Sequence, residues 1–384
     1  MSDWPDGFIW GTGASSTQTE GASPGSDWMA WEAAGRAPRS GDGNGFATRH
    51  AEDFALYAEH GLTHHRLSLD WNRLEPRQGH HPDEEVERYR AMLQAGRDAG
   101  LSIWACLHHF TLPGWFADDL HGFRDDKQGR LLWSRHVDWV GETFGDLVAG
   151  WKPINEPAFY AVGGHALGAI PPGHHDRSEA ARVLDTMHQA GADAARLLRT
   201  PSTPTATVEA LLPIFKVEET ATSAEVAERM ESIWWDSWAS DAQLDHYDYL
   251  GFSYYSALGV RGDGSIGPWP VEGTPGPQGY VRWADGFAHI LDRLSTDHPG
   301  RPILISEAGI GTDDEPERSA YVEDVVGVVA DAITGGLDVA GIFWWTGVDN
   351  YEWGQGFDVR FGLFDRDRNP KSAAEVAKGY ALAR

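Results

Sequence analysis

Eight short apolar runs, each followed by a longer stretch, constrain this chain more than any other feature. They are FIWGTG (8–13), HHRLSLD (64–70), SIWACLHH (102–109), GWKPIN (150–155), TATVEALL (205–212), YLGFSYY (249–255), PILISE (302–307) and GIFWWT (341–346). Most alternate with helical patterns. Strand and helix alternating about eight times without an internal linker predict a closed parallel barrel or a doubly wound sheet. The count and the length of 384 residues favour an α/β fold with one domain over 1–384, a (β/α)8 barrel of the TIM type with a parallel eight-stranded core. No Gly-x-Gly-x-x-Gly run opens a helix after the first strand, which weakens the dinucleotide-binding alternative.

The helical stretches show their faces. Val137, Val140, Phe144 and Leu147 recur at helical spacing, with Ser134 read as the cap and Gly150 as the stop. From Ser178 the pattern repeats with Leu184, Met187, Gly191, Ala194 and Leu198, and again with Trp283, Phe287, Ile290 and Leu294. A closing helix is expected from Pro370, and a loop across the Gly/Pro-rich stretch from Gly262 to Gly279.

A formal net charge of −27 disfavours nucleic acid and anionic membrane surfaces as partners. A neutral small-molecule substrate is easier to accommodate. No stretch approaches the roughly 18 apolar residues of a spanning helix, and MSDWPDGFIWG lacks the basic and apolar parts of a leader. The single cysteine, Cys106, excludes an internal disulfide and reads as a buried thiol, so the expected location is cytoplasmic. Nothing in the sequence sets an oligomeric state.

In a barrel, chemistry sits where the strands end at the C-terminal face. Glu156 follows the fourth run in WKPINEP, and Glu307 ends the seventh in ILISEAG. Two such carboxyl groups suit glycoside hydrolysis, where one protonates the leaving oxygen and the other stabilises or attacks the oxocarbenium carbon. Either alone is weak evidence, since such a residue is more often a structural salt bridge or a strand-end cap.

The surrounding strings decide between these readings. FIWGTGASSTQTEG, HHRLSLDWNRLEP, WKPINEP, ILISEAG and WWTGVDNYEWGQGFDVRFGL occur in the order of the motifs of glycoside hydrolase family 1, and the chain resembles that family from Phe8 to about Lys371. The resemblance implies a retaining β-glycosidase, a β-glucosidase with β-galactosidase or β-fucosidase as related activities, acting on a β-glycoside or oligosaccharide without a cofactor or metal. It implies Glu307 as nucleophile and Glu156 as general acid/base, with Arg66 and Tyr255 beside the nucleophile. It also implies Gln18, His109 and Glu352 at the outer sugar hydroxyls, Asn155 at the inner one, Trp345 as the floor and Trp353 as an indole donor. Glu20, Asp349 and Asn350 lie in matched motifs but read as architectural hydrogen-bonding groups.

Departures from the family pattern bear on substrate. The chain is shorter than typical members, which implies trimmed loops and a more open cleft. Phe110 stands where the family usually has Trp, Ser253 replaces an Asn on the acid/base side, and Ala308 replaces the Asn after the nucleophile. VEALLPIF lacks the asparagine often found at the fifth strand. Glu352, Gln355 and Asp358 oppose a phospho-sugar substrate.

Three other functions compete. A transglycosylase uses the same site with another acceptor, and a non-catalytic carbohydrate-binding barrel fits the altered pocket. A metal-dependent hydrolase is suggested by 17 histidines, including the pairs His64–His65, His80–His81, His108–His109 and His174–His175. Adjacent residues on a strand point to opposite faces, so such a pair is no chelate.

Overall fold

The computed structural model describes residues 4–265, 267 and 275–383. Eight parallel strands form its sheet: β1 (Ile9–Gly13), β2 (His64–Ser68), β3 (Ser102–His108), β4 (Gly150–Ile154), β5 (Glu209–Ala210), β6 (Leu250–Tyr254), β7 (Ile303–Ala308) and β8 (Val339–Trp344). Their hydrogen-bonded order is β4-β3-β2-β1-β8-β7-β6-β5. The ends close where Trp151 meets Thr205 in parallel and the Glu156 N–H donates to the Val208 carbonyl at 2.8 Å. The sheet is therefore a (β/α)8 barrel.

A helix follows each strand: α1 (Phe46–Glu59), α2 (Asp83–Asp98), α3 (Asp126–Phe144), α4 (Arg177–Leu198), α5 (Ala221–Glu231), α6 (Ala284–Asp297), α7 (Glu315–Thr334) and α8 (Ser372–Leu382). Their apolar stripes bury against the outside of the barrel, as Val137, Val140 and Phe144 of α3 and Met187, Ala194 and Leu198 of α4 do. Inside, Trp104 of β3 and Phe343 of β8 meet at 6.0 Å between ring centroids. These strands are not neighbours, so the contact crosses the lumen. Ile9, Ala206 and Leu304 complete that plug, and the Lys152 ammonium lies 3.6 Å from the centre of the Phe343 ring.

Three expected boundaries differ from the structure. Ser134 lies inside α3, which starts eight residues earlier because the Asp125 carboxylate accepts from the Gln128 N–H at 2.9 Å. Gly150 does not stop that helix, which closes at Gly145; Gly150 opens β4, where a Cβ would come within 2.5 Å of the Trp104 ring. Pro370 bridges Phe364 instead of opening α8.

The fifth run is also broken. Only Glu209 and Ala210 form ladder, because the Thr207 hydroxyl takes the Gly251 N–H and donates to its carbonyl, both at 2.8 Å, in place of backbone partners. The Gly262–Gly279 loop lies partly outside the described residues, and its described ends carry turns.

Candidate active site

Alternation along a strand sends every second side chain into the barrel. On β2 this turns Arg66 inward and His65 outward, where His65 packs against Phe54 and Tyr57 of α1. Arg66 is fully buried beneath the C-terminal mouth. Its Nη1 donates to Glu307 Oε1 at the end of β7, and its Nη2 donates to Asn155 Oδ1 at 2.6 Å. Burial is the largest single effect and works against the Arg66 charge, but the Glu307 carboxylate and the Cys106 sulfur together outweigh it and hold the guanidinium protonated. The other oxygen, Glu307 Oε2, accepts from the Tyr255 hydroxyl at 2.7 Å. Burial, then the Glu307 charge, raise the Tyr255 phenol well above its usual range, so it remains a donor.

Glu156 reaches the same cavity from the end of β4. Its backbone is left-handed, with φ 46° and ψ 63°, an unusual conformation for a residue with a side chain. That turn links the Glu156 N–H to Val208 across the barrel seam and starts a short helix, Pro157–Ala161, with proline at its first position. Burial, and then the nearby charge of Glu307, push the Glu156 carboxyl up to about 8, against the opposing effects of Ser253 and Arg66. Ser253 is the register partner of Glu307 on β6, and its hydroxyl donates to Glu156 Oε1. One short side chain of β6 thus reaches the acid that follows β4.

The remaining six sequence-chosen residues line this cavity as well. Gln18 Nε2 donates to Glu352 Oε2 at 3.1 Å and to the Tyr351 carbonyl, while Trp345 Nε1 donates to Glu352 Oε1 at 3.2 Å. Burial, opposed by these two side-chain bonds, pushes Glu352 up to about 8. His109 stacks against Trp345 at 5.5 Å and Trp353 at 5.9 Å between centroids. Its Nδ1 faces the Arg66 Nη2 donor at 2.8 Å, and burial with the Arg66 charge lowers its pKa well below the usual range. The ring is therefore neutral, accepts at Nδ1 and carries its proton on Nε2. Asn155 spends its carbonyl on Arg66, and its buried Nδ2 has no hydrogen-bond partner among the described residues. An unsatisfied buried donor beside a cavity calls for an acceptor from outside the protein.

The model of the glycosyl hydrolase family 1 matches residues 1–251 and 270–381. This chain belongs to that family. It is 24% identical to beta-glucosidase A of Thermotoga maritima, over 99% of this chain and 97% of that protein. Thermostable beta-glucosidase B of Thermobispora bispora is 27% identical over 93% of this chain and 85% of its own length. Among solved structures, the beta-glycosidase from Pyrococcus horikoshii superposes with a TM-score of 0.90 at 27% identity, covering 99% of this chain and 95% of that one. The chain is accordingly a glycoside hydrolase.

Sequence reasoning under-read several residues of this family 1 site. Ser253, singled out only as the replacement of an Asn on the acid/base side, bonds Glu156 directly through its hydroxyl. Inward alternation with Tyr255 was the signal that could have found it. Phe159, Trp234 and Tyr280 also line the cavity, but they come from the short helix Pro157–Ala161, the helical turn Ser232–Asp236 and a loop, segments too short or irregular for periodicity to reveal. Phe110, with φ 70°, puts its ring 5.1 Å from Phe159 and 5.5 Å from Trp353, forming an apolar wall.

Of the residues read as architectural, Glu20 bonds Arg88 at 2.7 Å and Asp349 bonds Lys371 at 2.7 Å. Asn350 differs, since both amide atoms are buried without a hydrogen-bond partner among the described residues, beside a separate cavity. Cys106 is buried as expected, with Sγ 3.6 Å from Arg66 Nη2. Among the described residues, no helix is long and apolar enough to cross a membrane.

Proposed function

We propose that this family 1 member is a retaining β-glycosidase whose nucleophile is Glu307 and whose general acid/base is Glu156, with a β-glucoside as the preferred substrate. The observation that carries this reading is the opposite treatment of the two carboxyl groups. Glu307 receives a guanidinium on one oxygen and a phenol on the other, while Glu156 is buried with a pKa of about 8. Opposed environments of this kind support dividing the two carboxyl groups between nucleophile and acid/base.

Glu307 attacks the anomeric carbon as Glu156 protonates the departing oxygen. A water, deprotonated by Glu156, then releases the sugar from Glu307 with the configuration retained. Arg66 and Tyr255 hold the Glu307 carboxylate in position. The free Nδ2–H of Asn155 suits the hydroxyl next to the anomeric carbon, a contact that strengthens in the transition state. Gln18, His109 and Glu352 supply donors and acceptors for the outer hydroxyls, over the Trp345 face and beside the Trp353 indole.

A panel of aryl β-glycosides given to the wild type and to Glu307→Gly with added azide tests this. The variant is expected to be inactive alone and to form the α-glycosyl azide when azide occupies the vacated space. A folded variant that azide fails to rescue on any substrate overturns Glu307 as nucleophile.

A further inference from the structure

One His/Glu cluster outside the catalytic cavity is placed to hold a metal ion. His165 lies in the turn Val162–Ala166, nine residues beyond Glu156, and His174 lies in the following loop. Both bring Nδ1 to the same oxygen, Oε1 of Glu179 in the first turn of α4, each at 2.6 Å. The three ligand atoms all fall within 4.8 Å of one another, and among the described residues this is the group of three or more histidine, cysteine or acidic side chains with that property.

We propose that His165, His174 and Glu179 form a zinc site that ties the segment after Glu156 to the start of α4. Two imidazole nitrogens and one carboxylate oxygen match the donor preference of this ion and leave a fourth position for water. Tetrahedral bonds of 2.0–2.2 Å separate neighbouring donors by about 3.3–3.6 Å. The present contacts of 2.6 Å open to that spacing if the Glu179 carboxylate withdraws by roughly 1 Å, which its partly exposed position permits. In the empty site each imidazole donates its Nδ1 proton to the carboxylate; with zinc the proton sits on Nε2 and Nδ1 binds the metal.

His165 is buried in that turn. Arg124 is a cation near it, but its guanidinium is turned to the carbonyls of Ala117 and His121. The adjacent pair His174–His175 is not what converges; His174 meets a histidine nine positions away, from the other end of the loop.

The ion's place is structural. His165 belongs to the turn that continues the Pro157–Ala161 helix, which begins on Glu156 and carries Phe159 of the cavity wall. Glu179 belongs to α4, packed on the barrel. Zinc fastens one to the other and takes no part in bond cleavage.

Tag-free enzyme stripped with EDTA and titrated with zinc chloride by calorimetry tests the site, alongside His174→Ala, Glu179→Gln and the exposed control His80→Ala. The expected result is one equivalent bound by the wild type and by His80→Ala, with a higher Tm than in EDTA. In both site variants affinity should fall at least about tenfold, while aryl glycoside turnover shows that they are folded. A wild type that binds no zinc overturns the proposal, as does binding that survives either site substitution. Neither outcome touches the roles of Glu156 and Glu307, which the azide experiment tests separately.

Discussion

The carboxyl of Glu156, proposed as the acid/base, is pulled in opposite directions by its surroundings. Glu307 and burial raise the Glu156 pKa, while Ser253 and Arg66 lower it, and the balance is about 8. A general acid works in its protonated form, so kcat/KM for glycosides with poor leaving groups is expected to fall as pH rises through about 8. Ser253→Ala removes a hydrogen bond that favours the charged form, so that alkaline limb should move to higher pH. A pH–rate profile of both enzymes on one alkyl β-glycoside measures it. An unchanged or lowered limb in the variant counts against Glu156 as the acid. The two glutamates proposed to react were easiest to single out in the sequence, because each stands at the end of a strand inside a motif. The Ser253 contact was not legible there, because replacing Asn with Ser looks like a loss until the backbone brings the shorter hydroxyl to the carboxylate.

Elements were easiest to read where periodicity was long. The stripes of α3, α4 and α6 bury the expected residues except Trp283, which is half-buried and stands just before α6, and all eight strands appear in order. Ends were harder, since a cap is a single side-chain contact that several nearby residues can make. Asp125, not Ser134, caps α3, accepting from Gln128 at 2.9 Å. Asp125→Ala is therefore expected to destabilise the enzyme by about 1 kcal/mol. In a chain of this length that is a Tm fall of roughly one to two degrees, with kcat and KM unchanged; Ser134→Ala should leave Tm where it is. Scanning calorimetry with a standard aryl glycoside assay separates the two. The short fifth strand was hidden for a different reason: Thr207 substitutes its hydroxyl for ladder bonds, a tertiary contact with Gly251 that no propensity carries.

At the scale of the whole molecule, the active site costs stability. Glu156 and Glu352 are buried carboxyls raised from 4.5 to about 8, so between those values the folded enzyme holds protons that the unfolded chain has released. Their contribution is fully present below pH 4.5 and is lost as pH rises toward 8. The Tm of the unliganded enzyme should accordingly decline across that window, and Glu352→Gln, which cannot ionise, should flatten the decline. A thermal series in matched ionic strength reads it, and parallel slopes for the two proteins reject this origin. The sequence by itself determined the barrel and the family and singled out the two glutamates as candidates, because strand alternation, helical period and strand-end position are local properties written in residue order. Only the tertiary structure decided how Arg66, Tyr255 and Ser253 divide between the two carboxyls and where the outer loops set Phe159 and Tyr280. It also decided that His165 and His174 meet over Glu179. Those contacts join residues far apart in the chain or across a turning loop, and their distances exist only once the barrel has closed.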